Sequence, residues 1–268
     1  MTPFEILKKT PRTNCGQCGH PTCLAFAAAV AKGGDDPGKC PFLSREGFVT
    51  ASGKGAALEE LPAQREVELI AHLQGKIATL DFAVLADPLG ARLLPGREPA
   101  LAFRYLGQEV VLAKNSLLLD NAPPADHRDQ ILLYNYAHSG GGTEPALDWI
   151  GLESLPNSIS KVKTLATYCE SRLALLFTQS PAERIRHACT ALDGLEKKAE
   201  GASLAFLIPV LPRVPQHIFF WAEEPEDGFV AKAKVLFDRQ VLSFLDLESL
   251  VFSAERLADR LSVLLAQP

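Results

Sequence analysis

The sequence predicts an α+β protein, a small cysteine-rich module followed by a mixed helix and antiparallel-sheet domain. Three observations carry that expectation. Four of the six cysteines, Cys15, Cys18, Cys23 and Cys40, crowd into the N-terminal segment. Beyond them, helical and hairpin patterns are segregated rather than alternating, which argues against a parallel βαβ sheet. The 268 residues are 47% hydrophobic, enough for one substantial core beside a smaller unit. The expected division is residues 1–60 for the module with its linker and residues 61–268 for the α+β domain.

The elements follow in order. Thr13-Asn14-Cys15-Gly16-Gln17-Cys18-Gly19-His20-Pro21-Thr22-Cys23 is a glycine-punctuated loop. It runs into an alanine-rich helix over residues 24–32 that stops at Gly33-Gly34. Pro21 suits a first helical turn and so places Cys23 near that helix's N-terminus. Residues 35–39 form a turn that delivers Cys40-Pro41, and residues 44–62, with Ser52-Gly53-Lys54-Gly55, read as a linker. A helix is expected over residues 63–79, then short strands at 82–85 and 91–94 around Asp87-Pro88-Leu89-Gly90. Residues 101–112 suggest a hairpin turning near Gly107. Helices are expected at 126–138, 159–178 and 181–192. A second β region spans 203–210 and 217–221, separated by Pro209, Pro212 and Pro215. The last helix covers 247–265, apolar at Leu250, Leu257, Leu261 and Leu264.

Charge bounds the function. The net charge is −5, but residues 1–54 hold seven basic residues (Lys8, Lys9, Arg12, Lys32, Lys39, Arg45, Lys54) against four acids (Glu5, Asp35, Asp36, Glu46). That segment is therefore +3 and the remainder −8. No basic stripe marks a nucleic-acid binder, and no run approaches the ~18 apolar residues of a membrane span. The N-terminus lacks the basic region and long apolar stretch of a secretory signal. The expected location is the cytoplasm, where clustered cysteines read as metal ligands rather than disulfides.

The spacing is Cys-x2-Cys-x4-Cys-x16-Cys-Pro. Four thiolates are the usual complement of a cubane iron–sulfur cluster. Three closely spaced ligands can wrap one face, and the distant fourth closes the shell. Gly16 and Gly19 permit unusual backbone angles that bring amides toward sulfur, and the start of the following helix favours an anionic thiolate. Zinc is the competing metal, but structural four-cysteine zinc sites usually show two Cys-x2-Cys knuckles, and the second is missing here. The spacing favours a cluster over zinc and over free thiols.

That loop, the alanine-rich helix and Cys40-Pro41 resemble the small 4Fe-4S domain of the corrinoid iron–sulfur protein's large subunit, which also occurs in the Rnf electron-transport complex, in its B component. The resemblance covers about residues 1–60, and it implies that Cys15, Cys18, Cys23 and Cys40 ligate the cluster. The remainder is similar to a domain of unknown function found behind this module in anaerobic bacteria and archaea. The residues carrying that similarity are residues 129–136, Trp149, residues 211–215, Trp221 and Leu236-Phe237-Asp238. It implies a redox, anaerobic setting without an established reaction. The corrinoid-binding barrel of the first relative and the additional ferredoxin-type cysteines of the second are both missing.

Other features have dull readings that outweigh the sharp ones. Cys169 and Cys189 read as core residues rather than a redox pair. His127 and His138, three helical turns apart, read as helix-end histidines. His20 could tune a cluster by hydrogen bonding but reads as solvent-exposed. Gly140-Gly141-Gly142 reads as a flexible helix terminus, since no phosphate-loop pattern follows. The acidic run 223–227 reads as a solvated loop. Pro209, Pro212, Pro215 and Trp221 read as a rigid crossing between strands rather than the edge of a pocket. No Gly-x-Ser-x-Gly elbow, His-Glu-x-x-His or dinucleotide fingerprint is present.

The function expected is one-electron transfer to or from a redox partner protein or a cofactor held by the C-terminal domain. The alternatives are an accessory protein binding a corrinoid or other second cofactor that the cluster reactivates, or a structural cluster in an interaction protein.

Overall fold

A computed structural model of the chain describes residues 3–31, 35–43, 55–142 and 144–267, with side chains from Glu5 in the first stretch and from Val67 in the third. The chain divides into two compact units, Met1–Val67 and Glu68–Pro268. The fold class is α+β, 44% helical and 20% strand.

In the first unit, α1 (Pro3–Lys9) packs on α2 (Cys23–Ala31), burying Ile6, Phe26 and Ala27. Cys23 opens α2, and Pro21 stands outside it rather than in its first turn. The expected Gly33-Gly34 stop lies outside the described residues. A single tight turn at Pro37–Lys39 follows, capped by the Asp36 carboxylate, which accepts from the Gly38 amide at 2.9 Å.

Helix α3 (Gly55–Ala78) corrects the expected linker. The helix begins eight residues before position 63, so Pro62 lies within it. Ala56, Ala57, Leu58, Glu59 and Glu60 are strong helix formers, and their summed propensity outweighs the proline's local cost. The part of the expected linker at 44–54 lies outside the described residues.

The second unit takes in the end of α3, with Leu73 and Ile77 in its core, and continues with α4 (Phe82–Leu85), where the sequence suggested a strand. Four consecutive apolar residues carry no period, so their neighbour decides. Asp81 accepts from the Ala83 amide at 3.0 Å and caps a helical turn that buries Phe82. Strands β1 (Arg92–Leu94), β2 (Ala100–Tyr105), β3 (Gln108–Leu112) and β4 (Leu117–Leu119) form an antiparallel four-stranded meander. The β2–β3 hairpin turns at Leu106 and Gly107, both with positive φ (47° and 77°). That two-residue geometry matches the right-handed strand twist. A Cβ at Gly107 would stand 2.2 Å from the Ala191 carbonyl oxygen, so the position has room for glycine alone.

Helix α5 (His127–Ser139) is capped by Asp126 and ends at Gly140 in the left-handed region. Within the glycine run behind it, Gly141 packs closely against the Pro88 backbone. A Cβ on Gly141 would stand 2.8 Å from the Pro88 carbonyl oxygen. After β5 (Trp149–Gly151), the expected helix over 159–178 forms as α6 (Ile159–Leu165), a π turn at Ala166–Glu170 and α7 (Ser171–Thr178). Helix α8 (Ala182–Thr190) precedes β6 (Leu195–Glu196), β7 (Leu204–Leu211), β8 (Val214–Trp221) and β9 (Lys232–Asp238).

The second sheet is antiparallel in the order β5-β9-β8-β7-β6. Strand β8 starts at Val214, three residues earlier than expected, because the prolines sit inside the strands: Pro209 faces Pro215 across the β7–β8 pair. The alternating residues Phe206, Ile208, Ile218, Phe220, Val235 and Phe237 face the core. Helix α9 (Leu247–Ala266) packs with α5, α6, α7 and α8 and contributes Leu250, Ala254, Leu257 and Leu261, a stripe at helical spacing.

A polar network crosses this core. Tyr105 donates to Asp129 at 2.7 Å, and Arg256 grips Asp129 through Nε and Nη2, both at 2.8 Å. Arg256 also pairs with Asp259 at 2.8 Å and Asp126 at 3.0 Å. Burial first, then the Asp129 charge, pushes the Tyr105 hydroxyl well above its usual range.

Candidate metal centre

The loop before α2 is shaped by local hydrogen bonds. Asn14, itself at φ 50°, accepts the Cys23 amide on its Oδ1 at 2.8 Å. Thr22 Oγ1 accepts the Ala25 amide at 3.0 Å. Together they satisfy amides that the start of α2 leaves open. The Gly19 amide donates to the Gly16 carbonyl at 2.9 Å, closing a turn around Gln17 and Cys18. Gly16 and Gly19 hold φ 74° and 83°, with open space where a side chain would stand. A side chain is disfavoured there by backbone conformation, not by crowding.

The four cysteines differ in setting. Cys15 is exposed and Cys18 half-buried, while Cys23 and Cys40 are 7% and 6% exposed. Cys40 forms a small apolar cluster with Phe26 and Leu43, and Cys18 and Val30 pack against it. The Gln17 amide and then the Thr13 side chain, by hydrogen bonding, pull the Cys15 thiol below its ordinary range. That shift favours the thiolate, the form that binds metal.

His20 is half-buried and bonded, not simply exposed as its position in the loop suggested. Its Nε2 lies 2.6 Å from Asp35 Oδ2, and its ring leans on Phe26 at 5.7 Å. Lys39 reaches the other oxygen of Asp35 at 2.6 Å. Lys39 first, then His20, draws the Asp35 carboxyl down to about 2. This clamp ties the cysteine loop to the residue before Cys40. Sequence reasoning missed it, although the Asp35–Lys39 spacing of four was a usable signal.

The donor set suits an iron–sulfur cluster. All six cysteines are free, and the four in this unit are soft thiol donors beside glycine turns rich in amides. Among the described residues, no three or more His, Cys, Asp or Glu side chains are already gathered around one metal position.

The remaining candidates fall in the second unit. Cys169 and Cys189 are fully buried, and burial pushes the Cys189 thiol up to about 12. Cys169 donates to the Ala254 carbonyl at 3.2 Å. Both are core residues. His127 and His138 are exposed near the two ends of α5. The acidic run 223–227 is exposed around a short turn at Pro225–Asp227. Pro209 and Pro212 do line a cavity, which corrects the reading of the prolines as a mere crossing. Trp221 and Pro215 are not among its walls; Trp221 instead stacks with Phe219 at 6.0 Å.

Comparison with known proteins fits this division of labour. Residues 11–42 match the family described as "Putative Fe-S cluster", and the chain is an iron–sulfur protein. Residues 81–260 match the family described as "Domain of unknown function (DUF3786)", and the chain belongs to that family. The corrinoid/iron-sulfur protein large subunit of Moorella thermoacetica is 31% identical over 139 residues, 47% of this chain and 31% of that protein. Subunit gamma 2 of the acetyl-CoA decarbonylase/synthase complex of Methanosarcina thermophila is 40% identical over 70 residues, 25% of this chain and 14% of that one. The B component of the ion-translocating oxidoreductase complex of Yersinia pestis is 37% identical over 73 residues, 27% and 38% of the two chains. The chain thus spans well under half of each of these relatives. No solved structure matches it. Two of these relatives are named as subunits of complexes, and no helix of the described residues is long and apolar enough to cross a membrane.

Proposed function

We propose that the chain is a cytoplasmic electron-transfer protein in an anaerobic setting. In this reading residues 1–60 form a cluster-binding module and residues 61–268 an α+β domain that presents or receives the electron. Cys15, Cys18, Cys23 and Cys40 hold one 4Fe-4S cluster, which supplies reversible one-electron chemistry when bound. The carrying observation is that Cys18 and Cys40 meet at one apolar cluster while Cys23 opens α2 and Cys15 stands on the adjoining glycine turn. The chain's own residues set the surroundings. The first amides of α2 favour negative charge near Cys23, and the apolar contacts of Phe26 and Leu43 limit water around Cys40. A redox partner protein supplies or takes the electron.

Anaerobic purification with iron and sulfide analysis, followed by EPR after dithionite reduction, tests this reading. The expected result is about four irons and four sulfides per chain, with a reducible signal that Cys18→Ser abolishes. Stoichiometric zinc without iron would overturn it.

A second reading has one observation in its favour. The match to the corrinoid/iron-sulfur large subunit runs over 139 residues, while the iron–sulfur family match ends at residue 42. Similarity of that length must reach into the second unit. There the chain would hold a second cofactor such as a corrinoid, reactivated by the cluster. A chromophore that co-purifies and persists in Cys15→Ser supports this reading; its absence from both proteins removes it.

A further inference from the structure

A cavity of about 550 Å³ opens in the second unit between the four-stranded sheet and the β7–β8 hairpin. Its walls include Arg92, Ala102, Arg104, Asp193, Pro209 and Pro212. The volume is that of a site for a small organic ligand. Arg92 faces Ala102 across the β1–β2 pair, and Arg104 stands two residues along β2, so both guanidinium-bearing positions share one face of the sheet.

The two arginines are in different states. Arg104 is fixed: Nε and Nη2 donate to the Asp193 carboxylate at 2.9 and 3.2 Å, and Nη2 donates to the Gly107 carbonyl at 2.6 Å. Arg92 is exposed, and its side chain makes no hydrogen bond or ion pair among the described residues. The lining therefore holds two guanidiniums against one carboxylate.

Three unusual backbone features converge on the same walls. Asp193 holds φ 58° although it is not glycine. The β7–β8 register shifts between Pro209 and Leu211. Gly90, also in the lining, holds φ 63°, and a Cβ there would stand 2.9 Å from the Pro212 side chain and 3.1 Å from Arg213 Nε. That Nε is itself buried without a partner. Bulges and strained residues gather where a fold must shape a site.

We propose that this cavity binds a small organic molecule with one oxyanion headgroup, a carboxylate or a phosphate, on an apolar body. Arg92 takes the headgroup, because a guanidinium fork matches either oxyanion. Ala102, Pro209 and Pro212 receive the body. Arg104, pinned by Asp193, shapes the wall and adds to the positive potential. The proposal does not depend on the cluster.

Calorimetric titration of the full, cluster-containing chain with benzoate and phenyl phosphate tests it. Benzamidine and benzyl alcohol serve as cationic and neutral controls of similar shape. At least one anion saturates the protein, and its tighter binding identifies the headgroup. Arg92→Glu weakens that binding at least ~10-fold without moving the thermal midpoint, since Arg92 is exposed. Three results would each overturn the proposal: no binding of either anion up to ~10 mM, equal binding in Arg92→Glu, or equal binding of benzamidine.

Discussion

In the first unit the buried apolar cluster consists of Phe26, Cys40 and Leu43, with Cys18 and Val30 against it. In the second, both sheets and the helices around them share one continuous core from Leu73 to Leu265. Two of the five residues in the smaller cluster are proposed metal ligands, whereas Cys169 and Cys189 in the larger one only fill space. Among the described residues, so small an apolar cluster contributes little against the entropy of ordering its chain. Such a unit normally draws its remaining stability from bound metal. The second unit needs no such help, and it tolerates a buried charge network at its centre. On the proposed reading, order in the first unit follows metal, whereas order in the second follows burial.

The largest expected effect breaks the first half of that contrast. Cys18→Ser removes a proposed ligand and a packing contact together. The expected outcome is loss of visible absorption and rapid proteolysis within residues 1–43, while the thermal midpoint of the second unit stays where it was. Retained protease resistance in the N-terminal segment would show that the module stands without metal. Next in size is Asp129→Ala, which removes the bidentate partner of the half-buried Arg256 and the acceptor of the Tyr105 hydroxyl, and leaves Arg256 paired with Asp126 and Asp259. Because Arg256 keeps two carboxylates, the cost falls below that of a fully stranded charge and is about 1–3 kcal/mol, chiefly the unpaired Tyr105 hydroxyl, or roughly 5 °C in the midpoint of a unit this size. Cluster absorption should not change.

What the sequence made legible follows the range of the interactions. The cysteine spacing is local, and its reading as a cluster motif agrees with the family match to residues 11–42. Helix α9 announces itself through its apolar stripe, and α5 and α9 both form where expected to within a residue at each end. The hairpin at Gly107 was readable because its turn chemistry is confined to two residues. Phe82–Leu85 was misread because four apolar residues carry no period. Strand β9 was missed although it sits second in the five-stranded sheet: its pairing with β5 and β8 is made entirely by distant residues. The Asp129–Arg256 pair joins positions 127 apart, and the Arg92 cavity joins two turns, three strands and the segment behind α8. No local pattern encodes either.

Two further effects sharpen the comparison. Gly107→Ala forces a side chain into a positive-φ position already closed by the Ala191 carbonyl. It should cost about 1–3 kcal/mol, lowering the second unit's midpoint and leaving the first untouched. A shift in cluster absorption instead would reveal coupling between the units.

The smallest effect lies in the Asp35 clamp. Its carboxyl is held down to about 2 by Lys39 and His20, below the ordinary ~3.9 of an aspartate. A depressed carboxylate contributes stability that is fully present above the ordinary value and is lost as the pH falls toward the depressed one. The clamp should therefore hold at neutral pH, stay closed through pH 4, and open only as the pH approaches 2. Because Lys39 is largely exposed, the contribution is small and weakened by salt. Carbon-13 NMR of the Asp35 carboxyl in the metal-free chain reads this directly. Its midpoint should lie near 2 and move back up in Lys39→Ala. A midpoint near 3.9 in the unsubstituted chain would mean that the clamp does not form without metal. The cysteine loop and the segment leading to Cys40 would then be tied together by the cluster alone, and the dependence of this unit on metal would be stronger still.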